Sequence, residues 1–363
     1  MTRLRRYMTE ALIEAKKAYS IGEIPVGAVI VKDDQIIARA HNTVEQNNNP
    51  THHAEMNAIE AACAALGYRS LHDCEMFVTL EPCPMCVGAI MQARVGKLYF
   101  GASDETAGAV VTKIDLLDKH FGNRKTQYDF PVMEDESKNL LTGFFKEVRS
   151  KFSLNDGTNV YKLSGMYFDN DTVLLSKTLL GAYIIRNLNG ERLVAKVVET
   201  EAYCGIDDKG SHTYGDTRTN RTEIMYGHPG HAYIYLIYGM YNCLNLVTRP
   251  KDIPSCILIR AVEPVEGLET MSQLRYNKPY EELDKKKRIG LTNGPGKLCI
   301  ALGLSREQNG LDLTGDELYI ARPHKYKPVD IVTSKRINID YAQEAADYPW
   351  RFYIRGNEFV SKK

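Results

Sequence analysis

The sequence lacks the features that would place it in a membrane or in a secretory pathway. No run approaches the roughly 18 apolar residues that a membrane-spanning helix needs, so we expect no contact with a membrane. The opening stretch, MTRLRRYMTEALIEAKKAY, contains acidic residues and no apolar core, and does not resemble a signal peptide. The eight cysteines show no framework spacing apart from one Cys-x-x-Cys pair, which favours a reducing cytoplasm over a disulfide scaffold.

The chain also has a formal net charge of zero, because 46 basic residues balance 46 acidic ones. Residues 1–152 contain 18 basic and 20 acidic residues, and the rest of the chain contains the remaining 28 and 26. Neither part is strongly basic, so binding to nucleic acid cannot be argued from overall charge. Any such function has to be argued from individual sites.

The length of the chain and the change in composition and predicted elements along it predict two domains. A chain of 363 residues is too long for one hydrophobic core. Up to residue 152 predicted strands and helices alternate, whereas most of the 22 tyrosines and a series of short alternating strands follow that point. The polar stretch at 153–161 is the best linker candidate, so we expect domains at 1–152 and 162–363.

Several elements can be predicted locally. VGAVIVKDDQIIARAHN reads as two strands around a Lys-Asp-Asp-Gln turn. HAEMNAIEAACAAL is a helix closed by Gly67, and LLTGFFKEVRSK is a later one. In AYIIRNLNGERLVAKVVETEAY the Asn-Gly pair predicts a hairpin. The first domain should therefore be a layered α/β unit, and the second should be richer in antiparallel strands.

His53, Cys83 and Cys86 have the spacing of a zinc site. The two cysteines are three residues apart at a predicted helix start, so both thiolates can face one point, and His53 begins another helix. Three protein ligands leave a fourth position for water, which is the catalytic arrangement. Glu55 lies two residues past His53, placed to move a proton to and from the attacking water.

A closed structural zinc site and a redox-active cysteine pair are the other interpretations. Cys63 is ten residues beyond His53 on one predicted helix, about 15 Å along its axis, and cannot close the site. Cys74 stays open as a fourth ligand on spacing alone. His-x-Glu followed about thirty residues later by Pro-Cys-x-x-Cys is, however, typical of zinc nucleobase deaminases.

The segments IPVGAVIV, PTHHAEM, VTLEPCPMC and FGASD make residues 1–151 similar to the bacterial tRNA-specific adenosine deaminases. The resemblance implies a three-layer α/β/α cytidine-deaminase-like fold that deaminates a flipped wobble adenosine to inosine. It makes the histidine and two cysteines the ligands of one zinc ion, Glu55 the proton shuttle and Asn42 a contact to the nucleoside. His52 stands where the family usually has a small residue. A free nucleobase or nucleotide deaminase shares the zinc core and is the alternative.

A second group of polar residues follows in the other half of the chain. In LVAKVVETEAYCG, strand alternation puts Glu199, Glu201 and Tyr203 on one face. Two glutamates at the end of an apolar strand are ordinarily charges exposed to water. Here the following segment, from GSHTYGD to YIYLIYGMYNCLN, adds aromatic rings and hydrogen-bonding tips, which favours a binding site.

The segments VVETEAYCG, YIYLIYGMYNCLN, CILIRAVEPVEGLE, NGPGKLCIAL and RFYIRGN make residues 162–363 resemble the alkyladenine (3-methyladenine) DNA glycosylases. The resemblance implies a mixed α+β fold with a curved, mostly antiparallel sheet. It implies that Glu201 is the general base that activates water, and that Tyr238 is the wedge that fills the gap in the duplex. Tyr233 and Tyr241 are expected to pack.

The remaining positions implied by this resemblance surround the flipped base. Tyr203, His212 and Tyr235 wall its pocket. Asn245 sits where the family crowds the 2-amino group of guanine, and Arg260 lies near the active-site water. The aromatic faces suit an electron-poor alkylated purine, because a cation over a tyrosine ring gains roughly 0.5–2 kcal/mol.

Taken together, the two resemblances predict a cytoplasmic bifunctional hydrolase. The first domain would use zinc, act on tRNA and form a homodimer. The second would excise alkylated or deaminated purines such as 3-methyladenine and hypoxanthine from double-stranded DNA, without a cofactor. The alternative is a free nucleotide or nucleobase deaminase joined to a non-catalytic nucleic-acid-binding module.

Overall fold

A computed structural model describes residues 2–118, 126–324 and 329–362 of the chain. The chain divides into two compact units, Met1–Lys146 and Glu147–Lys363. Within the described ranges, no helix is both long and apolar enough to cross a membrane.

The first unit is a mixed sheet with helices. Its elements, in chain order, are α1 (Arg3–Ile21), β1 (Gly27–Lys32), β2 (Gln35–His41), α2 (Val44–Asn47), α3 (Ala54–Leu66), β3 (Glu75–Leu80), α4 (Pro84–Ala93), β4 (Lys97–Ala102), β5 (Gln127–Asp129) and α5 (Glu134–Arg149). The sheet order is β2-β1-β3-β4-β5. Strand β1 is antiparallel to β2 and β3, whereas β3, β4 and β5 run parallel.

Strand alternation in β1 and β3 distributes the apolar side chains over two faces of this sheet. Val29, Val31 and Phe77 pack with α1 on one face. Ala28 and Ile30, the neighbours of the two valines, pack with α3 and α4 on the other. The first unit therefore has the expected three layers of helix, sheet and helix.

The second unit is built on an open sheet. Its strands are β6 (Lys151–Ser153), β7 (Asn159–Lys162), β8 (Tyr183–Leu188), β9 (Glu191–Tyr203), β10 (Ala232–Ile237), β11 (Tyr241–Thr248), β12 (Ser255–Glu266), β13 (Leu318–Pro323), β14 (Ile331–Ser334) and β15 (Arg351–Ile354). Their order is β10-β11-β12-β9-β8-β13-β7-β6, with β14 on β15 and β15 on β9. Every pairing found among the described residues of this sheet is antiparallel.

Helices and short 3₁₀ segments surround the sheet of the second unit. The helices are α6 (Gly165–Phe168), α7 (Thr172–Thr178), α8 (Leu268–Tyr276), α9 (Lys285–Gly290) and α10 (Pro295–Ala301). The 3₁₀ segments are Gly205–Asp207, Tyr214–Asp216, Glu223–Tyr226, Tyr280–Glu282, Arg306–Gln308 and Asp340–Asp347. Helix α7 packs on β9 and β12, and α10 packs on β11 and β12.

Strand β9 is the central element of this unit. Asn189 and Gly190 form the turn between β8 and β9, with φ of 51° and 83°, which confirms the hairpin predicted from the Asn-Gly pair. Beyond that hairpin, β9 also pairs with β12 and with β15. Pairing on both edges holds the strand that carries the two glutamates in one register.

The segment predicted as a linker is ordered. Ser153 ends strand β6, and Asn159–Lys162 forms strand β7, which pairs with β6. The backbone N–H of Leu154 donates to Thr158 O across the turn. Residues 153–161 are thus the turn and part of a hairpin in the second unit, and the proposed limits of the two catalytic domains stay a prediction.

A substitution at Gly27 would test how closely helix α1 approaches strand β1 in the first unit. A Cβ at this position would lie 2.1 Å from Ala11 O and 2.3 Å from Ala15 N, both backbone atoms of α1. We expect Gly27→Ala to destabilise the unit by about 1–3 kcal/mol, because the helix must move away. Hydrogen exchange of α1 and β1 peptides along a urea gradient measures this unit separately.

Gly88 provides the matched control, since a Cβ there meets no atom within 4 Å and the residue lies inside α4. Gly88→Ala should stabilise by roughly 0.5–1 kcal/mol, the usual gain for this change in a helix. Equal behaviour of the two variants would contradict the close approach of α1 to β1.

Candidate active sites

Two helix starts bring the predicted zinc ligands together. His53 is the N-cap of α3, and Cys83 is the N-cap of α4, with Pro84 at the first helical position. His53 Nδ1 lies 3.7 Å from Cys83 Sγ and 3.5 Å from Cys86 Sγ. The three ligand atoms all lie within 4.8 Å of one another. One nitrogen and two sulfurs converging on one point fit a tetrahedral zinc ion with one open position.

Glu55 and Asn42 lie beside this cluster. Glu55, in the first turn of α3, is only 4% exposed, and burial raises the pKa of its carboxyl to about 7. Asn42 Oδ1 accepts a hydrogen bond of 2.8 Å from Ala54 N, which satisfies one of the free N–H groups at the start of α3. Asn42 thereby ties strand β2 to the helix that carries Glu55.

The other candidate ligands lie outside the cluster. Cys74 comes directly before β3, whereas Cys83 follows that strand, and six strand residues span roughly 20 Å. The Cys74 thiol contacts the neighbouring Asp73 instead. His52 Nδ1 lies 2.9 Å from Asn47 Nδ2. The cluster is therefore open, with three ligands and not four, among the residues that the structure describes.

Glu81 is a buried residue beside the ligand cluster that sequence reasoning missed. It is 2% exposed, and its carboxylate accepts hydrogen bonds from four backbone N–H groups, those of Asp104 and of residues 110–112. It also accepts from the Thr112 hydroxyl. Ala109 N donates to Pro82 O, so this loop is fastened to the segment that leads into Cys83. The sequence feature that could have pointed to Glu81 is its position, because it is an acidic residue between the apolar strand β3 and the ligand Cys83.

Strand β9 carries the central residues of the second candidate site. Glu201 is completely buried, and its Oε1 accepts a 2.8 Å hydrogen bond from Ile337 N. Its Oε2 accepts from Tyr203 OH at 2.9 Å and from Arg260 at 3.3 Å. Burial raises the pKa of Glu201 above its ordinary value, and the positive charge of Arg260 opposes that rise. A carboxylate can accept about four hydrogen bonds, and three donors are found among the described residues, which leaves one acceptor position for a water molecule.

Glu199 supports this arrangement from two residues away. It is also completely buried, and its Oε1 accepts from Arg351 at 2.7 Å and faces Arg260 Nε at 3.3 Å. Its other contacts are to the N–H and hydroxyl of Ser361. Arg260 therefore lies between two buried carboxylates, and each charge is paired, as a dry environment requires.

Arg336 is a second residue that the sequence did not reveal. Its side chain is buried and makes a bidentate pair with Asp208, at 2.6 and 2.7 Å. It also donates to Ala202 O, and it lies over the rings of Tyr203 and Trp350, 4.7 and 5.1 Å from their centres. Arg336 therefore fixes the Tyr203 ring and the backbone directly before Ile337.

A cavity of about 670 Å³ opens beside Glu201. The predicted pocket and wedge residues of the second half all line it: Tyr203, His212, Tyr235, Tyr238, Asn245 and Arg260. Glu201 is not among the lining residues, but it accepts hydrogen bonds from two of them, Tyr203 and Arg260. A volume of this size accommodates a nucleobase-sized ligand.

His212 forms an edge of the cavity in its neutral form. Its ring centre lies 4.6 Å from that of Tyr235, edge to face, and its Nδ1 lies 2.9 Å from Tyr233 OH. Its Nε2 lies 3.3 Å from the guanidinium of Arg221. Burial and this neighbouring charge lower the pKa of His212 to about 4. Because Arg221 can only donate, Nε2 is the acceptor and Nδ1 carries the proton toward Tyr233.

Asn245 is fixed in orientation by its own strand pair. It is 2% exposed, and its Nδ2 donates to Tyr233 O at 3.0 Å and to Cys243 O at 3.2 Å. Both amide hydrogens are thus used by the backbone. The side chain presents a rigid wall to the cavity.

Tyr238 lies at the tip of the β10–β11 hairpin. Ile237 pairs with Tyr241, and Tyr238 and Gly239 turn the chain with φ of 54° and 70°. Tyr238 is 72% exposed, as a wedge requires. Tyr233 is buried as expected, whereas Tyr241 is 42% exposed and lines the cavity in addition to packing on α10. Its place next to the turn leaves too few neighbours to cover it.

These geometries define two classes of hydrolytic site, a zinc deaminase centre in the first unit and a DNA glycosylase pocket in the second. Residues 1–102 match the cytidine and deoxycytidylate deaminase zinc-binding region, and residues 166–358 match methylpurine-DNA glycosylase (MPG). The chain belongs to the methylpurine-DNA glycosylase family through its second unit and carries a deaminase zinc-binding domain in its first.

Individual relatives match one unit each. A protein of Alkaliphilus oremlandii (strain OhILAs), assigned as a 3-methyladenine DNA glycosylase, is 52% identical over 202 residues, which are 56% of this chain and 100% of that protein. A solved structure from studies of A-to-I editing by tRNA deaminases at the wobble position is 39% identical, covering 38% of this chain and 99% of its own, with a TM-score of 0.37. Guanine deaminase from Bacillus subtilis is 37% identical, covering 37% and 89%, with a TM-score of 0.27.

The buried charge of Glu201 has a consequence for stability. Its pKa in the folded protein is raised above the ordinary 4.5, so the ionised form costs stability at neutral pH and this cost vanishes as the pH falls toward 4.5. Glu201→Gln should therefore unfold at or above the temperature of the wild type at pH 8, with the difference shrinking toward pH 5. Scanning calorimetry of the full chain at several pH values measures this.

Glu199→Gln is the matched control on the same strand. Removing its charge leaves Arg351, which it binds at 2.7 Å, buried without a charged partner, and such a loss typically costs about 3–5 kcal/mol. Stabilisation by both substitutions, or an equal loss of stability in both, would contradict the different environments of the two carboxylates.

Proposed function

We propose that the chain is a bifunctional hydrolase in which the first unit deaminates the wobble adenosine of tRNA to inosine. The second unit excises alkylated and deaminated purines, including 3-methyladenine and hypoxanthine, from double-stranded DNA. In this proposal the deaminase domain lies within residues 1–152 and acts as a homodimer. The glycosylase domain lies within 162–363 and needs no cofactor.

The observation that carries the deaminase proposal is the open ligand cluster beside a buried carboxyl. His53, Cys83 and Cys86 would hold one zinc ion, which supplies the Lewis acidity that makes water nucleophilic near neutral pH. Glu55 takes a proton from the attacking water and returns it to the departing amine, so that adenosine and water give inosine and ammonia. Asn42 holds the first turn of α3, and with it Glu55, against the end of β2.

Transfer RNA is the substrate that the motif set of the first 151 residues supports. IPVGAVIV, PTHHAEM and VTLEPCPMC together resemble the tRNA-specific enzymes, while the zinc ligands alone are shared with deaminases of free bases and nucleotides.

A substrate panel tests the deaminase proposal. Purified protein is incubated with a tRNA carrying adenosine at the wobble position, with free guanine and with cytidine and adenosine nucleotides. We expect inosine in the tRNA alone. Glu55→Ala should reduce the rate by about 10²-fold or more, the usual contribution of general acid–base catalysis. Turnover of a free base or nucleotide without inosine in tRNA would favour the alternative deaminase.

The observation that carries the glycosylase proposal is Glu201, buried behind the wall of the cavity with one acceptor position left. A water molecule hydrogen-bonded there would be deprotonated by Glu201 as its oxygen attacks C1′ of the extruded nucleotide. The bond from C1′ to the base nitrogen breaks, and the base leaves with the electron pair. Arg260 and Ile337 N hold the carboxylate in place and limit its movement.

The cavity walls support selection of damaged purines. Tyr235, Tyr203 and a neutral His212 present aromatic surfaces, which favour an electron-poor or cationic ring. A protonated His212 would repel such a ring, and its lowered pKa prevents that near neutral pH. Asn245, with its amide group fixed, leaves no freedom to make room for the 2-amino group of guanine. Damaged pairs are also easier to open, which adds to selection.

Base release from a defined duplex tests the second activity. The duplex carries one hypoxanthine, and alkali-induced strand cleavage reports the abasic site. Wild type and Glu55→Ala should release the base. Glu201→Gln keeps the shape of the side chain and should lose at least about 10² in rate while still binding the duplex.

The alternative is that the second unit binds nucleic acid without catalysis. Absence of release by the wild type from both hypoxanthine and 3-methyladenine substrates, with duplex binding intact, would support that alternative. Release by Glu201→Gln at the wild-type rate would instead remove Glu201 from its proposed role.

A further inference from the structure

Two of the three most exposed large hydrophobic side chains of the described ranges line one cavity. Tyr238 is 72% exposed, Tyr341 68% and Met240 65%, whereas the next, Tyr214, is only 45% exposed. Tyr238 and Met240 belong to the hairpin tip between β10 and β11. Tyr341 comes from a distant part of the chain, the 3₁₀ segment Asp340–Asp347.

Tyr341 lines the same cavity as Tyr238. It follows Ile337, whose backbone N–H donates to Glu201, by four residues, and Ile337 and Ile339 line the cavity as well. A ligand that enters this cavity therefore passes an exposed tyrosine from each of two separate segments. Leaving a large aromatic surface in water on such a rim indicates a partner that covers it.

The segment that carries Tyr341 is held in an unfavourable conformation. Asn338 has φ of 60°, and Gln343 has φ of 51° with ψ of −129°, a region that side-chain-bearing residues rarely adopt. The conformation is fastened from outside, because Lys209 Nζ donates to Gln343 Oε1 at 2.5 Å and Arg336 donates to Ala345 O at 3.0 Å. The exposure of Tyr341 is thus enforced by its surroundings and is not fraying of a loose end.

We propose that Tyr341 is a second aromatic contact to DNA, which packs against a base of the duplex next to the extruded nucleotide. The inference rests on the proposed base-excision function, since it takes the occupant of the cavity to be a nucleotide. The DNA that delivers this nucleotide must cover the rim of the cavity, and the planar faces of its bases match an exposed ring. Stacking of a base on an aromatic side chain strengthens binding by roughly 5- to 150-fold.

The contact is tested by binding and catalysis in the full chain. Fluorescence anisotropy measures the affinity of wild type, Tyr341→Ala and Tyr341→Phe for a duplex with a tetrahydrofuran abasic-site analogue. Tyr341→Ala should bind at least about fivefold more weakly, the lower limit of the stacking range. Tyr341→Phe keeps the ring and should bind within about twofold of wild type. Thermal unfolding should be unchanged, because an exposed side chain contributes little to the fold.

Tyr214→Ala is the matched control, because Tyr214 is an exposed tyrosine of the same unit that is not among the residues lining the cavity. Its affinity should equal that of wild type. Unchanged binding by Tyr341→Ala, an equal loss in Tyr341→Phe, or an equal loss in Tyr214→Ala would each overturn the stacking contact.

Base release from a hypoxanthine duplex is measured under single turnover with the same preparations. This measurement tests the proposed base-excision function separately from the contact made by Tyr341. No release by wild type would refute base excision itself. Release by wild type together with unchanged affinity of Tyr341→Ala would refute only the contact made by Tyr341.

Discussion

Both units of this chain are organised around carboxylates that have been taken out of water and must be given replacement donors. A buried carboxylate is tolerated only when its lone pairs meet N–H groups, hydroxyls or cations. That requirement places Ile337 N, Tyr203 and Arg260 around Glu201, and it places a whole loop around Glu81. Much of the local architecture at both sites follows from meeting it.

The number of donors and the neighbouring cavity distinguish the buried carboxylates of this chain. Glu81 receives four backbone N–H groups and a hydroxyl, and Glu199 is met by two arginines and Ser361. Glu81 is saturated, whereas Glu199 receives three hydrogen bonds, because Arg260 Nε only faces it at 3.3 Å. Glu201 also receives three donors, and two of them, Tyr203 and Arg260, line the cavity. A buried carboxylate beside a cavity, with an acceptor position left for water, is placed to take a proton from that water.

What the sequence could predict depended on how local each signal was. His53, Cys83 and Cys86 could be predicted because helix starts and a three-residue spacing carry their geometry, and Gly67 ends α3 as expected. The pairing of Arg336 with Asp208 spans 128 residues and leaves no periodic trace. The donor to Glu201 from Ile337 is a backbone group, which any residue type supplies. The segment 153–161 forms the turn and part of a hairpin, and its polar turn residues could not show this because they are shared by linkers and hairpins.

Strand β9 shows how the glycosylase site constrains the evolution of this chain. Glu199, Glu201 and Tyr203 occupy alternate positions of one strand, and that strand is paired on both edges. A single inserted or deleted residue upstream in β9 would turn all three side chains to the opposite face at once. Lineages that keep the activity should therefore accumulate length changes in surface turns, such as the one after Leu154, while the length of β9 stays constant.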